Sequence, residues 1–190
     1  MSPGEGRPAP RASREQRFEA VYAEHQQTLF AYFLGRTADR EQALDLLQEL
    51  FVRVWRSLDS LESLPLEKRP FWLFSVAKHL LVDQYRAQAT RERTQAALDR
   101  DPPTQWAPAP EPTVVAGEQV ARLEAAIQRL PDDLRVVLAL RVLDGRTSTE
   151  IGALLGRPPG TVRYQLAEAR QRLAVDLGLN DEPEEDPETP

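Results

Sequence analysis

The stretch Thr147–Leu173, TSTEIGALLGRPPGTVRYQLAEARQRL, constrains the fold most tightly, because its spacing predicts two short helices joined by a tight turn. Thr147 followed three residues later by Glu150 is a capping-box start, and Ile151, Leu154 and Leu155 then share one helical face. Gly156 ends that helix, and a second begins around Pro159, where a missing N–H costs nothing in a first turn. Its buried stripe is Val162, Leu166, Ala169 and Leu173. The opposite face carries Thr161, Arg163, Tyr164, Gln165, Ala167, Glu168 and Gln171, the side chains that a recognition helix turns toward base edges and phosphates in a major groove. The alternative reading of the same pattern is an ordinary helical hairpin with a solvated face.

The rest of the chain is helical in pattern too. Residues 1–14, rich in Pro, Gly and Arg, predict a disordered N-terminal arm. From Glu15, the residues Phe18, Val21, Tyr22, Leu29 and Phe33 recur at helical spacing up to Gly35. A second helix follows Asp39, with a broad stripe of Leu46, Leu47, Leu50, Phe51, Val54, Trp55 and Leu58. Its polar face has Glu41, Asp45, Gln48 and Glu49 near the start and Arg53 and Arg56 near the end, the order that a helix dipole favours. By themselves such charges only solvate the face and support it by a few tenths of a kcal/mol per pair, roughly. A loop is expected over Asp59–Pro70, with Lys68 and Arg69 side by side between two prolines. A third helix is expected over Phe71–Gln88; Phe71, Trp72 and Phe74 read as core, and Lys78, His79, Asp83 and Arg86 as a polar strip.

These three helices make one compact unit over residues 15–89. Residues 90–117, with five prolines between Pro102 and Pro112, predict a flexible linker, so the two modules are expected to be tethered rather than fused. The second module, 118–177, opens with Val120, Leu123, Ile127 and Leu130, breaks at Pro131, and continues through Leu134, Val137, Leu138 and Val142 to a turn at Asp144-Gly145. Residues 178–190 predict an acidic, disordered tail. The fold class is therefore all-α, two small helical domains on a Pro-rich linker.

Composition narrows the chemistry. The chain has 190 residues, no cysteine and two histidines, which rules out disulfides, thiolate zinc sites and a cysteine nucleophile. No strand alternation, dinucleotide glycine pattern, phosphate loop or paired catalytic set appears, so no enzyme, metal or cofactor is expected. No apolar run suits a membrane span and the amino terminus has no signal-peptide core, so a soluble, cytoplasmic protein is expected. The net charge of -6 counts against nucleic acid, but six acidic residues lie in the last ten; without them the body has 24 acidic against 24 basic groups. Between Arg157 and Arg172 four arginines face one glutamate.

With both modules placed, the sequence resembles the bacterial sigma-70 family, in the small extracytoplasmic-function (ECF) form that keeps only regions 2 and 4. ALDLLQELFVRVW (Ala43–Trp55) resembles A-E-D-L-x-Q-E-x-F-x-x-x-W, and WLFSVAKHLLVDQYR (Trp72–Arg86) resembles W-L-x-x-I-A-R-N-x-x-x-D-x-x-R, both of region 2. LPDDLRVVLALRVLDGRTSTEIGALLGRPPGTVRYQLAEARQRL resembles the region 4 pattern L-P-x-x-x-R-x-V, a glycine, E-I-A-x-x-L-G and G-T-V, in register. The resemblance implies a non-catalytic subunit that binds core RNA polymerase, at the beta-prime clamp and beta flap, and delivers it to promoter DNA. It implies that Asp45, Gln48 and Glu49 meet the clamp. It implies that Lys68, Arg69, Trp72, Lys78, His79, Asp83 and Arg86 serve minus-10 recognition and melting, where an unstacked base needs a pocket. It implies that Arg157, Gly160, Thr161, Arg163, Tyr164, Gln165, Ala167 and Glu168 serve minus-35 reading, and that a separate anti-sigma factor gates the chain. Departures from the pattern are Leu44 for an acid, Lys78 and His79 for arginine and asparagine, Gln165 and Glu168 where many relatives carry arginine, and Pro158 where a capping serine is common. The last removes a side-chain acceptor that contributes about 1 kcal/mol in comparable helices.

Two other functions fit parts of the pattern. A helix-turn-helix regulator that is not a polymerase subunit leaves Ala43–Trp55 and Trp72–Arg86 unexplained. An all-helical adaptor that binds only proteins predicts no promoter-dependent transcript.

Overall fold

The computed structural model describes residues 12–98 and 116–179, and the described residues are helices joined by turns. Helix α1 is Arg14–Thr37; Ser13 and Gln16 form a capping box at its start, and Ala38 closes it in the left-handed region at φ 55°. It therefore runs past Gly35, the expected stop. Helix α2, Arg40–Arg56, is capped by Asp39, whose carboxylate accepts from the Glu41 and Gln42 amides at 2.9 and 3.1 Å. The stripe predicted for it is buried from Leu46 to Val54, while Trp55 packs edge-on against Phe18 with the Arg14 guanidinium over its ring.

The expected loop over Asp59–Pro70 is largely helical. Leu58–Glu62 forms helix α3, whose Leu58 and Leu61 are fully buried, and Leu66–Lys68 makes a 3-10 turn. Helix α4 spans Arg69–Leu98, so it begins before Phe71 and continues through the first part of the segment expected to be linker. Leu73, Phe74, Ala77, Leu80 and Leu81 supply its core face. Phe71 does not belong to it and is 49% exposed.

The second module contains α5 (Ala116–Arg129), α6 (Asp132–Leu143), α7 (Ser148–Leu155) and α8 (Pro159–Leu177). Val120 and Leu123 of α5, expected to be apolar anchors, are exposed; Ala126 and Leu130 are the buried residues at that end. The expected N-terminal arm up to residue 11, the centre of the linker (99–115) and the acidic tail from residue 180 on lie outside the described residues; Gly178, at the start of the expected tail, caps α8.

The modules do not merely hang on a string. Helix α1 packs along α6, and α4 touches α7, so that Leu29, Phe33, Val136, Val137, Ile151 and Val162 belong to one buried cluster. A Cβ on Gly35 would lie 2.6 Å from the Val136 Cα, so the two helices meet where only hydrogen fits. Arg135, 7% exposed, donates from Nε to the Gly35 carbonyl at 2.9 Å and from Nη1 to the Gln128 and Leu130 carbonyls at 3.0 and 2.8 Å. One guanidinium thus satisfies the carboxy-terminal carbonyls of α5 and the end of α1 together, while Asp132 balances its charge at 2.6 Å.

Candidate nucleic-acid and polymerase interfaces

The helix-turn-helix forms as its local chemistry dictates. Thr147 Oγ1 accepts from the Glu150 amide at 3.3 Å and the Glu150 carboxylate accepts from the Thr147 amide at 2.8 Å. The Thr147 hydroxyl, which also donates to Glu150 Oε2 at 2.7 Å, and then the Thr147 amide hold the Glu150 carboxyl below its ordinary range. Gly156 turns the chain at φ 69°, and the Arg157 amide donates back to the Gly152 carbonyl at 2.8 Å. A Cβ on Gly152 would stand 2.5 Å from the Arg157 carbonyl oxygen, so the closeness of the turn depends on that glycine. Val162, Leu166 and Ala169 of α8 are buried as expected.

The outward face of α8 divides into free and engaged side chains. Thr161, Arg163, Tyr164 and Ala167 are exposed, Tyr164 to 68%, and Gly160 leaves the first turn open beside them. The other three predicted reading residues are half-buried. Arg157 donates to Gln165 Oε1 at 3.0 Å and to Asp133 Oδ1 at 2.6 Å, and Glu168 accepts from Arg172 at 2.6 Å. The hydrogen bond from Arg157 is the main reason that Asp133 is held below the usual carboxylate range, with Arg36 of the other module adding to it.

On the first module, Asp45, Gln48 and Glu49 lie exposed on one face of α2, Glu49 paired with Arg53 at 2.7 Å. Arg53 also stands 3.9 Å from Asp83 of α4, which joins the acidic face to the polar strip, a link that sequence spacing does not reveal. Along α4, Lys78, His79, Asp83 and Arg86 are exposed; His79 Nδ1 is 2.8 Å from the Ser75 carbonyl. Lys68 projects from the 3-10 turn and Trp72 is half-buried against the core. Arg69 is occupied locally, donating to the Glu62 and Leu64 carbonyls at 2.9 and 3.3 Å, so it ties down the turn before α4. Leu66 and Phe71 complete this end of the module as exposed apolar groups.

Known proteins match both halves. Residues 21–91 match Sigma-70 region 2 and residues 121–173 match Sigma-70, region 4. The chain is 32% identical over 146 residues to the ECF RNA polymerase sigma factor SigX of Bacillus subtilis, covering 74% of this chain and 73% of SigX. It is 28% identical over 158 residues to the ECF RNA polymerase sigma factor SigL of Mycobacterium tuberculosis, covering 83% of this chain and 87% of SigL. In fold it is similar to the sigma factor RpoE of Bartonella quintana, solved with the anti-sigma factor NepR, at a TM-score of 0.57 and 22% identity over 86% of this chain and 98% of that one. No described helix is long and apolar enough to cross a membrane. The chain belongs to the sigma-70 family of RNA polymerase sigma factors, in its ECF branch, whose members are non-enzymatic subunits that direct RNA polymerase to DNA.

Proposed function

We propose that this sigma factor works in the cytoplasm with one polymerase-facing and one DNA-facing surface on each module. Asp45, Gln48 and Glu49 of α2 dock on the beta-prime clamp of core polymerase, while the second module meets the beta flap. Exposed charges contribute little to the stability of their own fold and are free to serve a partner, which suits this role. Lys68, Lys78, His79 and Arg86 hold the minus-10 strand, with Asp83 bounding the strip. Phe71 and Trp72, exposed and half-exposed at the start of α4, offer rings on which an unstacked base can rest. Arg69 acts through the turn it secures.

In the second module Thr161, Arg163, Tyr164 and Ala167 read the minus-35 duplex, with Gly160 admitting the backbone closely. Arg157, Gln165 and Glu168 join them once released from their present partners. The observation that carries the reading is the pairing of a capped helix-turn-helix, whose outward face is free at these positions, with an exposed acidic and amide face on the other module. A separate anti-sigma factor, as in the RpoE–NepR pair, is proposed to regulate the chain.

Run-off transcription with bacterial core polymerase and fragmented genomic DNA tests this. The holoenzyme is expected to start transcripts at sites the core ignores, and their complete absence overturns the function. Arg163→Ala is expected to keep core binding and lose about 1–3 kcal/mol of promoter discrimination, the worth of one bidentate base contact. Asp45→Lys with Glu49→Lys is expected to lose co-elution with core polymerase.

A further inference from the structure

Helix α8 separates its charges by flank. Glu168 accepts from Arg172 at 2.6 Å and Asp176 from Arg129 at 3.0 Å, so both carboxylates of the helix are engaged on one side. The other side carries Arg163, Ala167, Arg170, Ala174 and Leu177, whose spacing of three and four residues sets them in one row. Arg163 and Arg170 are exposed, and among the described residues neither has a carboxylate partner; Arg170 Nε donates to the Leu166 carbonyl at 3.3 Å. Exposed Ala167 stands between them, so the two guanidiniums border an open lane about 10 Å long.

The chain leaves α8 by turning back. Gly178 takes the left-handed conformation at φ 68°, and the Leu179 amide donates to the Ala174 carbonyl at 2.8 Å. The last described residue is thus held against the turn that carries Ala174, a member of the same row. Residues 180–190, outside the described residues, follow with six carboxylates and no cation: Asp181, Glu182, Glu184, Glu185, Asp186 and Glu188. Those eleven residues can reach about 36 Å at full extension, whereas Arg163 lies about 21 Å before Leu177 along the helix axis. Carboxylates three residues apart on an extended chain are about 10 Å apart, the separation of Arg163 from Arg170.

We propose that the acidic segment 181–188 folds back along this flank of α8 and competes with duplex DNA for the reading helix. Asp181 and Glu182 meet Arg170, and Glu184 and Glu185 meet Arg163. A carboxylate and a phosphate ask the same of a guanidinium, which is why one can stand in for the other. Exposed ion pairs are individually weak, but a segment joined to its own site is present there at an effective concentration on the order of millimolar. Salt weakens both the segment's contacts and those of DNA, so the competition is expressed at low ionic strength. It requires that α8 bind duplex DNA, the reading proposed above for that helix, and the two claims fail differently.

Because the full-length chain has no cysteine, a nitroxide attached through Thr189→Cys reports where the segment lies. It is expected to broaden the amide resonances of residues 161–170 at low salt, and to lose that effect in about 0.5 M salt. Asp181→Asn and Asp186→Asn, combined with Glu182→Gln, Glu184→Gln, Glu185→Gln and Glu188→Gln, neutralise the segment. This variant is expected to lose the broadening and to bind 24-base-pair duplexes of randomised sequence about tenfold more tightly, the factor for a segment docked about nine-tenths of the time. Arg170→Ala in the unmodified segment's presence is expected to raise affinity about threefold although it removes a positive charge, as the docked fraction falls to about two-thirds. In the neutralised chain the same substitution is expected to give no rise.

Absence of broadening at low salt overturns docking. A gain on neutralisation that Arg170→Ala does not share means general repulsion of DNA by the segment, and overturns docking on this flank. Broadening with no gain on neutralisation, in a chain whose duplex binding depends on Arg163, overturns the competition. Duplex binding that is absent, or unaffected by Arg163→Ala, in the neutralised chain overturns the assignment of α8 itself and the competition with it.

Discussion

Single side chains carry much of this molecule's organisation, and Arg135 is the plainest case. An arginine buried in an apolar helix must have its donors satisfied, since an unpaired charge in that setting costs several kcal/mol, roughly. The sequence hints at this, because Arg135 interrupts the run from Leu134 to Leu140, but nothing local says which carbonyls it meets, and one of them belongs to Gly35, 100 residues away. His25 is a second such residue. Burial at the seam pushes its imidazole below the ordinary value of 6.5; Glu24, 3.8 Å away, opposes that shift, and Arg146 of the second module and Arg69 reinforce it. As pH falls through 6.5 the unfolded chain takes up a proton that the buried ring does not, so stability falls with it, until the folded-state value is passed. Urea midpoints measured from pH 7.5 to 5.5 are expected to decline, and His25→Gln to flatten that decline.

Elements built on short-range signals were legible in the sequence. The capping box at Thr147, the Gly156 stop, the Asp39 cap and the stripes of α2 and α8 are fixed by residues within a turn or two of each other, and each stands where its pattern places it. Thr147→Ala is expected to cost about 1 kcal/mol, read as faster amide exchange confined to the first turn of α7. Helix α3 was hidden because prolines and polar residues around it signal a loop, although Leu58 and Leu61 already had helical spacing. The exposure of Phe71 was hidden for a different reason. Three aromatic residues in four positions cannot all face one core, and periodicity alone does not choose which is left out. On the candidate surfaces, the exposure of Asp45, Gln48, Glu49, Thr161, Arg163 and Tyr164 was legible from helical spacing, whereas the engagement of others was not: Arg157 with Asp133, Glu168 with Arg172 and Arg69 with backbone carbonyls are tertiary facts.

For the whole molecule, the Pro-rich stretch encouraged a picture of independent bodies, and the α1–α6 seam replaces it. Linker composition reports reach, not whether the bodies it joins have complementary faces. Two modules sharing buried contacts are expected to unfold together, giving one calorimetric transition whose measured and van't Hoff enthalpies agree. Two resolved transitions for the unmodified chain would mean that the seam contributes little to stability. The Gly35–Val136 approach has a further consequence, for heredity. Alanine, valine, aspartate and arginine are among the residues one base change from a glycine codon, and any of them puts atoms where Val136 now leaves room for hydrogen alone. A single nucleotide change can therefore alter how closely the two modules meet, with every residue of the candidate interfaces left intact.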